Sequence, residues 1–175
     1  MTLGIGFLKS AIKRLKYYKE LGDRTFEQLT ENDFNFKPNE ESNSIAIIIQ
    51  HMAGNMLSRW TDFLTTDGEK EWRNRDIEFE KRDLSREQLI SFWEEGWSCC
   101  LHALKGLNED DLLKTIYIRQ EGLIVVDAIN RQLAHYPYHV GQIVHLGKLI
   151  RGSEWKNLSI AKGASVEFNK GMQSP

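Results

Sequence analysis

Residues 44–64 read SIAIIIQHMAGNMLSRWTDFL, and this stretch sets the architecture. Ser44 is a good helix N-cap, because its side-chain oxygen can accept from a free amide of the first turn. Ile45, Ile48, Met52, Met56, Trp60 and Phe63 then recur at helical spacing, which predicts an amphipathic helix running to about Leu64. Beyond it, residues 65–84 form a connection of about twenty residues, far longer than the usual link between helices. A helix of about 22 residues is roughly 33 Å long. Extended chain of twenty residues reaches roughly 66 Å. The connection can therefore return along a whole helix, so that the helices on either side of it run parallel.

Three more helices are predicted around this one. Leu8, Ile12 and Leu15, followed by Leu29, mark the first, with Lys9, Lys13 and Lys16 as a solvated stripe. Whether it continues through Gly22 is open, since glycine weakens a helix interior. Ser85 and Gln88 form a capping box for the third, whose apolar face includes Leu89, Phe92, Trp93, Cys100, Leu104 and Leu107. The fourth runs from about Val125 to Ile150, with Lys148 and Arg151 suited to its C-terminal dipole and Gly152 to its stop. Residues 114–122 alternate β-branched positions and predict an extended stretch or small hairpin, with a short helix as the competing reading. The expectation is an all-α four-helix bundle with one long crossover between helices 2 and 3. It occupies residues 1–168 as a single domain. Trp155, Leu158, Ile160 and Phe168 would anchor the chain after Gly152, leaving 169–175 as a frayed tail.

Composition excludes several function classes. The chain has 175 residues, 23 Lys+Arg against 25 Asp+Glu, and a formal net charge of −2. No basic surplus exists to neutralise phosphates, so nucleic acid is not an expected partner. The 41% apolar fraction can build a core. No apolar run is long enough to cross a bilayer, and the opening Met1–Leu8 lacks the features of a secretory leader. Adjacent Cys99 and Cys100 suit neither a disulfide framework nor a zinc knuckle, and a cytoplasmic location is expected.

The chemistry lies with the histidines. His135 and His139 are four apart on the fourth helix, about 40° from one another around its axis. Two imidazoles on adjacent turns can converge on one metal ion. The intervening Tyr136-Pro137-Tyr138 leaves no glutamate after the first histidine, so the zinc-protease motif is absent. Leu146, Leu149 and Ala128 share the pair's helical direction, which points both rings inward. His51 flanks the apolar stripe of helix 2 in the same way. A buried neutral imidazole needs partners for both nitrogens, and three facing one interior can share a cation. The competing reading is a core histidine bonded to a neighbour. His102 and His145 are expected at the surface or flank. Pro137 between the candidate ligands removes a helical hydrogen bond at a cost of about 3 kcal/mol, and the expected kink would set the angle between the rings. Gln142, and Asn55 on helix 2, are candidates to hold a ring nitrogen or a metal-bound water.

At these residues the sequence resembles the DinB-like (YfiT-like) four-helix metalloproteins. The likeness lies in Pro38 and Ser44-Ile45-Ala46 leading into His51, and in His135-x-x-x-His139-x-Gly141-Gln142-Ile143. The block 54–70, continued by Trp72-Arg73-Asn74-Arg75-Asp76, is similar to a branch known as a domain of unknown function. The resemblance covers about residues 3–168. It implies an up-down-down-up bundle, often dimeric, with one divalent metal ion, zinc or nickel, on His51, His135 and His139. It also implies thiol chemistry, since characterised relatives include bacillithiol- or glutathione-type S-transferases and mycothiol-dependent isomerases. Pro137 departs from the residue many relatives carry. The expected function is a metal-dependent S-transferase or hydrolase acting on a small-molecule thiol and an electrophile, with no general base assigned. A non-catalytic, metal-stabilised binding or stress-response bundle is the alternative, and a metal-sensing dimer a third. Trp72, Arg73 and Arg75 make the 65–84 connection a candidate lid, against a plain solvated linker.

Overall fold

A computed structural model of the chain describes residues 1–172. Three long helices and one of intermediate length carry it: α1 (Leu3–Phe26), α2 (Ile45–Trp60), α3 (Arg86–Lys105) and α4 (Val125–Arg151). A two-stranded antiparallel hairpin, β1 (Thr115–Ile118) and β2 (Glu121–Ile124), leads into α4, and a short α5 spans Ser165–Met172. The chain is all-α in character. No helix among the described residues is long and apolar enough to cross a membrane.

Local chemistry explains where the elements start. Ser44 Oγ accepts from the Ile47 amide, and Ser85 with Gln88 closes a complete capping box. α1 continues unbroken through Gly22. The residue has a packing reason to be glycine: an added Cβ would sit 2.4 Å from Cζ2 of Trp93, a fully buried side chain. Trp93 Nε1 then donates to Asp23 Oδ1 at 2.7 Å. α2 stops at Trp60, four residues before the expected Leu64. Asp62 adopts a left-handed φ of 48°, and its carbonyl accepts from the amides of Thr65 and Thr66. Phe63 remains buried after the turn, so the apolar stripe outlasts the helix.

Each helix packs on its neighbours through the stripe the sequence marks. α2 lies mainly on α3, and α1 on α4, with further contacts between α1 and α3 and between α2 and α4. Ile49, Met52, Met56, Trp93, Trp97, Ile129 and Tyr136 fill the centre with no exposed surface to speak of. Gly96 lets α3 approach the α2 backbone, where an added Cβ would lie 3.0 Å from Ala53 Cα.

Two expectations about apolar anchors are corrected. Leu146 is buried, but Leu149 is 52% exposed because it falls on the face of α4 shared with exposed Tyr138 and His145, while Ile150 after it still packs on the core. Among the described residues after Gly152, the stretch around 155–158 is the one that docks. Arg24 Nη1 donates to the Leu158 carbonyl, and Gln28 bonds the Lys156 backbone through both amide atoms. Ile160 and Phe168 are exposed. α5 runs across the 168/169 division, and residues 173–175 of the expected tail lie outside the described residues.

The crossover is not a bare linker. It carries a one-turn helix at Ile77–Phe79 that packs on α2 and buries Glu78. Nearer its start, Asp67 accepts from the backbone amides of Arg119 and Gln120 at 2.9 and 2.8 Å. Those two residues form the hairpin turn with φ of 55° and 65°. The paired amides bonded to one carboxylate hold a conformation that non-glycine residues seldom adopt.

Candidate metal centre

His51 projects from the middle of α2, and His135 and His139 project from adjacent turns of α4 to meet it. His51 is 5% exposed and His139 9%, while His135 is half-buried. One ligating atom from each ring lies within 4.8 Å of the others. His135 Nε2 is 3.4 Å from His51 Nε2 and 3.0 Å from His139 Nε2. Tetrahedral ligands at the Zn–N distance of 2.0–2.1 Å stand about 3.3 Å apart. The two separations from His135 match that spacing, and the group as a whole could hold a metal ion.

The opposite side of each ring is occupied. His51 Nδ1 donates to Glu78 Oε2 at 3.0 Å, His135 Nδ1 to Gln132 Oε1 at 3.2 Å, and His139 Nδ1 to Gln142 Oε1 at 2.9 Å. The Glu78 carboxylate puts the His51 proton on Nδ1, and the amides of Gln132 and Gln142, with their oxygens toward the rings, do the same for His135 and His139, so the Nε2 lone pairs face inward. This is the arrangement in which outer partners fix the tautomer and orientation of metal-ligating histidines. Burial, with the neighbouring histidines and the Arg131 and Arg73 cations adding to it, pushes His135 down to about 3. Burial also lowers His139, against the opposing bond to Gln142. Both rings are therefore neutral near pH 7, the form that binds metal.

Glu78 is the residue sequence reasoning missed. Burial alone would raise its carboxyl, but hydrogen bonds and charge from Arg73 and His51 outweigh that and hold it below the usual range. Arg73 grips it with Nε to Oε1 at 2.7 Å and Nη2 to Oε2 at 2.9 Å. The carboxylate lies flat against α2 because position 54 is glycine, where a Cβ would fall 2.2 Å from Oε1. Phe79 covers the His51 ring at 4.8 Å, and Arg75 lies 5.2 Å above Phe79. Of the loop residues singled out from sequence, Arg73 and Arg75 thus support the site, while Trp72 is 61% exposed.

The other predicted positions divide. Gln142 meets His139, and Gln132, which the sequence reading passed over, does the same for His135; the spacing of three residues on either side of the pair was the available signal. Asn55 bonds elsewhere. Its Oδ1 accepts from the Tyr136 hydroxyl at 3.1 Å, and that hydroxyl accepts from Trp60 Nε1 at 3.0 Å. His102 and His145 are exposed. Pro137 sits inside a continuous α4, between the two ligand candidates.

Residues 2–164 match a family described as a protein of unknown function, DUF1572. The chain belongs to that family. The matched span of this DUF1572 chain includes all three histidines and every outer partner described above. No curated protein matches it.

Proposed function

We propose that this DUF1572 chain is a divalent-metal enzyme in which His51, His135 and His139 hold one zinc or nickel ion through Nε2. The observation that carries the reading is the three inward lone pairs, each fixed by an oxygen acceptor on the far side of its ring. A structural zinc is normally closed by four protein ligands, whereas a catalytic one keeps a position open. The group found among the described residues has three. That difference favours turnover over a purely structural clamp.

Bound there, the ion would supply a Lewis acid able to lower the pKa of a water or thiol in the open position. The chain's own residues have separate tasks. Glu78, Gln132 and Gln142 orient the rings, and Arg73 holds Glu78. Phe79 over His51 limits water around that donor. The reaction we favour is transfer of a low-molecular-weight thiol of the bacillithiol type to an electrophile, with metal-assisted hydrolysis as its neighbour. This choice rests on the DinB-like resemblance, as do superfamily membership and a homodimer, while a cytoplasmic setting rests on the two unpaired cysteines.

The same proposal includes the up-down-down-up bundle. Contacts between helices support it. Residues 53 and 61 of the second segment meet 96 and 99 of the third in the same order, as parallel neighbours do. Asp23 meets Trp93 while Phe26 meets Arg86, the reversed order of antiparallel ones.

Elemental analysis of untagged protein purified without chelators tests the metal. A stoichiometry near one per chain, lost in His139→Ala, is expected. Metal-free native protein that also fails to take up zinc or nickel refutes the reading. Thiol transfer that persists in metal-free His139→Ala refutes the mechanism and leaves the metal in place.

A further inference from the structure

On the outer side of Glu78, away from the histidines, a cleft of about 290 Å³ opens between α2, α3 and the crossover. None of the three histidines lines it. Two polar atoms in its wall residues are buried and have no partner: Arg73 Nη1 and Gln50 Oε1. The Arg73 side chain is only 2% exposed, and its other two nitrogens are committed to Glu78. Gln50 spends its amide nitrogen on the Ala46 carbonyl. One wall thus lacks an acceptor and the other lacks a donor.

Two charged residues add to this pattern. Arg82 and Glu95 also line the cleft, and neither forms an ion pair among the described residues. Glu78, already paired with Arg73, and Asn74 are also in the lining, and an apolar surface is supplied by Ile77, Leu57 and Phe92, whose ring lies under Arg82 at 5.8 Å. Charge of both signs beside an apolar surface, in a volume at the small end for ligand sites, selects a compact zwitterion.

We propose that this cleft binds an α-amino acid or the free end of a short peptide. The carboxylate would pair with Arg73 and Arg82, the ammonium with Gln50 Oε1 and Glu95, and the side chain would lie on the apolar wall. Because the two orphan atoms lie beneath the wall surface, docking requires a wall side chain to turn, and exposed Trp72 stands at that edge. The proposal does not rest on the metal reading, although the two sites share Arg73 and Glu78.

The test uses full-length protein, both metal-loaded and chelator-treated, titrated with L-phenylalanine by calorimetry and by NMR of the Trp72 indole. Saturable binding at one per chain is expected in both forms. L-Phenylalaninamide lacks the carboxylate and 3-phenylpropionate lacks the ammonium; each should bind about tenfold more weakly. Gln50→Leu, which leaves the Glu78 clamp intact, should weaken phenylalanine to a similar degree. No saturation by about 10 mM, equal binding of the three compounds, or an unaffected Gln50→Leu variant would each overturn the proposal. Failure here leaves the metal stoichiometry untouched, so the two readings are separately refutable.

Discussion

Gly54→Ala should weaken metal binding without altering any ligand. The new Cβ would lie 2.2 Å from Glu78 Oε1 and 2.8 Å from its carboxyl carbon. To reach ordinary contact at 3.4 Å, the carboxylate has to retreat by about 1.2 Å. Because Gly54 and His51 both stand on α2, a retreat from one draws Oε2 away from the other and stretches the 3.0 Å bond from His51 Nδ1 toward the limit of hydrogen-bonding range. His51, 5% exposed, then loses the acceptor that fixes its tautomer and ring angle. Loss of such an outer partner typically costs 10–100-fold in metal affinity, about 1.4–2.8 kcal/mol. The helix itself gains up to about 1 kcal/mol from replacing glycine, so the fold should persist. Competition with a chromophoric chelator reads the affinity, and circular dichroism checks the fold. Glu78→Ala supplies the control, since the double variant should be little worse than Glu78→Ala alone. Affinity unchanged in a folded Gly54→Ala protein would show that the Glu78–His51 bond does nothing for the metal.

Other outcomes follow from the same geometry. Gly22→Ala puts a Cβ 2.4 Å from the buried Trp93 ring, and overpacking of this kind costs about 1–3 kcal/mol. Its thermal melt should fall by about 2–4 °C for each kcal/mol, and an unchanged Tm would show that Trp93 moves aside freely. Adding zinc to stripped protein at about a thousand times its Kd should stabilise the fold by about 4 kcal/mol, read as a concentration-dependent rise in Tm. Identical melts with and without the ion would exclude a site formed only in the folded chain. Pro137→Ala should raise Tm, because it restores a backbone hydrogen bond inside α4, and should lower metal affinity if the proline sets the ring angle. Equal affinity in the two proteins removes that role.

Helix starts and apolar stripes were legible because they depend on neighbours in sequence. Ser44 and Ser85 cap the helices they were expected to cap. The convergence of His51 with His135 and His139 was legible for a related reason: helical phase places each ring, and the apolar residues around it show which way is in. What could not be read depends on distant residues. α2 ends at a left-handed aspartate, with no glycine to announce it. The hairpin turn at Arg119 and Gln120 has no glycine either, and is held by Asp67, some fifty residues away. Glu78 looks like any acid in a charged loop until Gly54, Arg73 and His51 are seen to surround it. Leu149 shared a side with the histidine pair but lay at the edge of the buried stripe, which continues through Leu146 and Gly147 to Ile150.

The tautomers explain why a shared cation fits this cluster better than a self-satisfied core. A histidine retained only for packing ends with both nitrogens matched to protein groups. Here Glu78, which can only accept, holds the His51 proton on Nδ1, and the amide oxygens of Gln132 and Gln142, as oriented, do the same for the other two rings. With all three on Nδ1, the outer bonds are made and three lone pairs face one another. Moving one proton to Nε2 lets that ring donate to a neighbour, but its Nδ1 then faces a carboxylate at His51, or needs the glutamine amide to turn over at His135 and His139. At His51 the opposing group is a buried anion gripped by Arg73, which makes the exchange most costly there. A cation at the meeting point satisfies all three inward nitrogens and keeps all three outer bonds. That is why the fold commits Glu78, Gln132 and Gln142 to the backs of the rings.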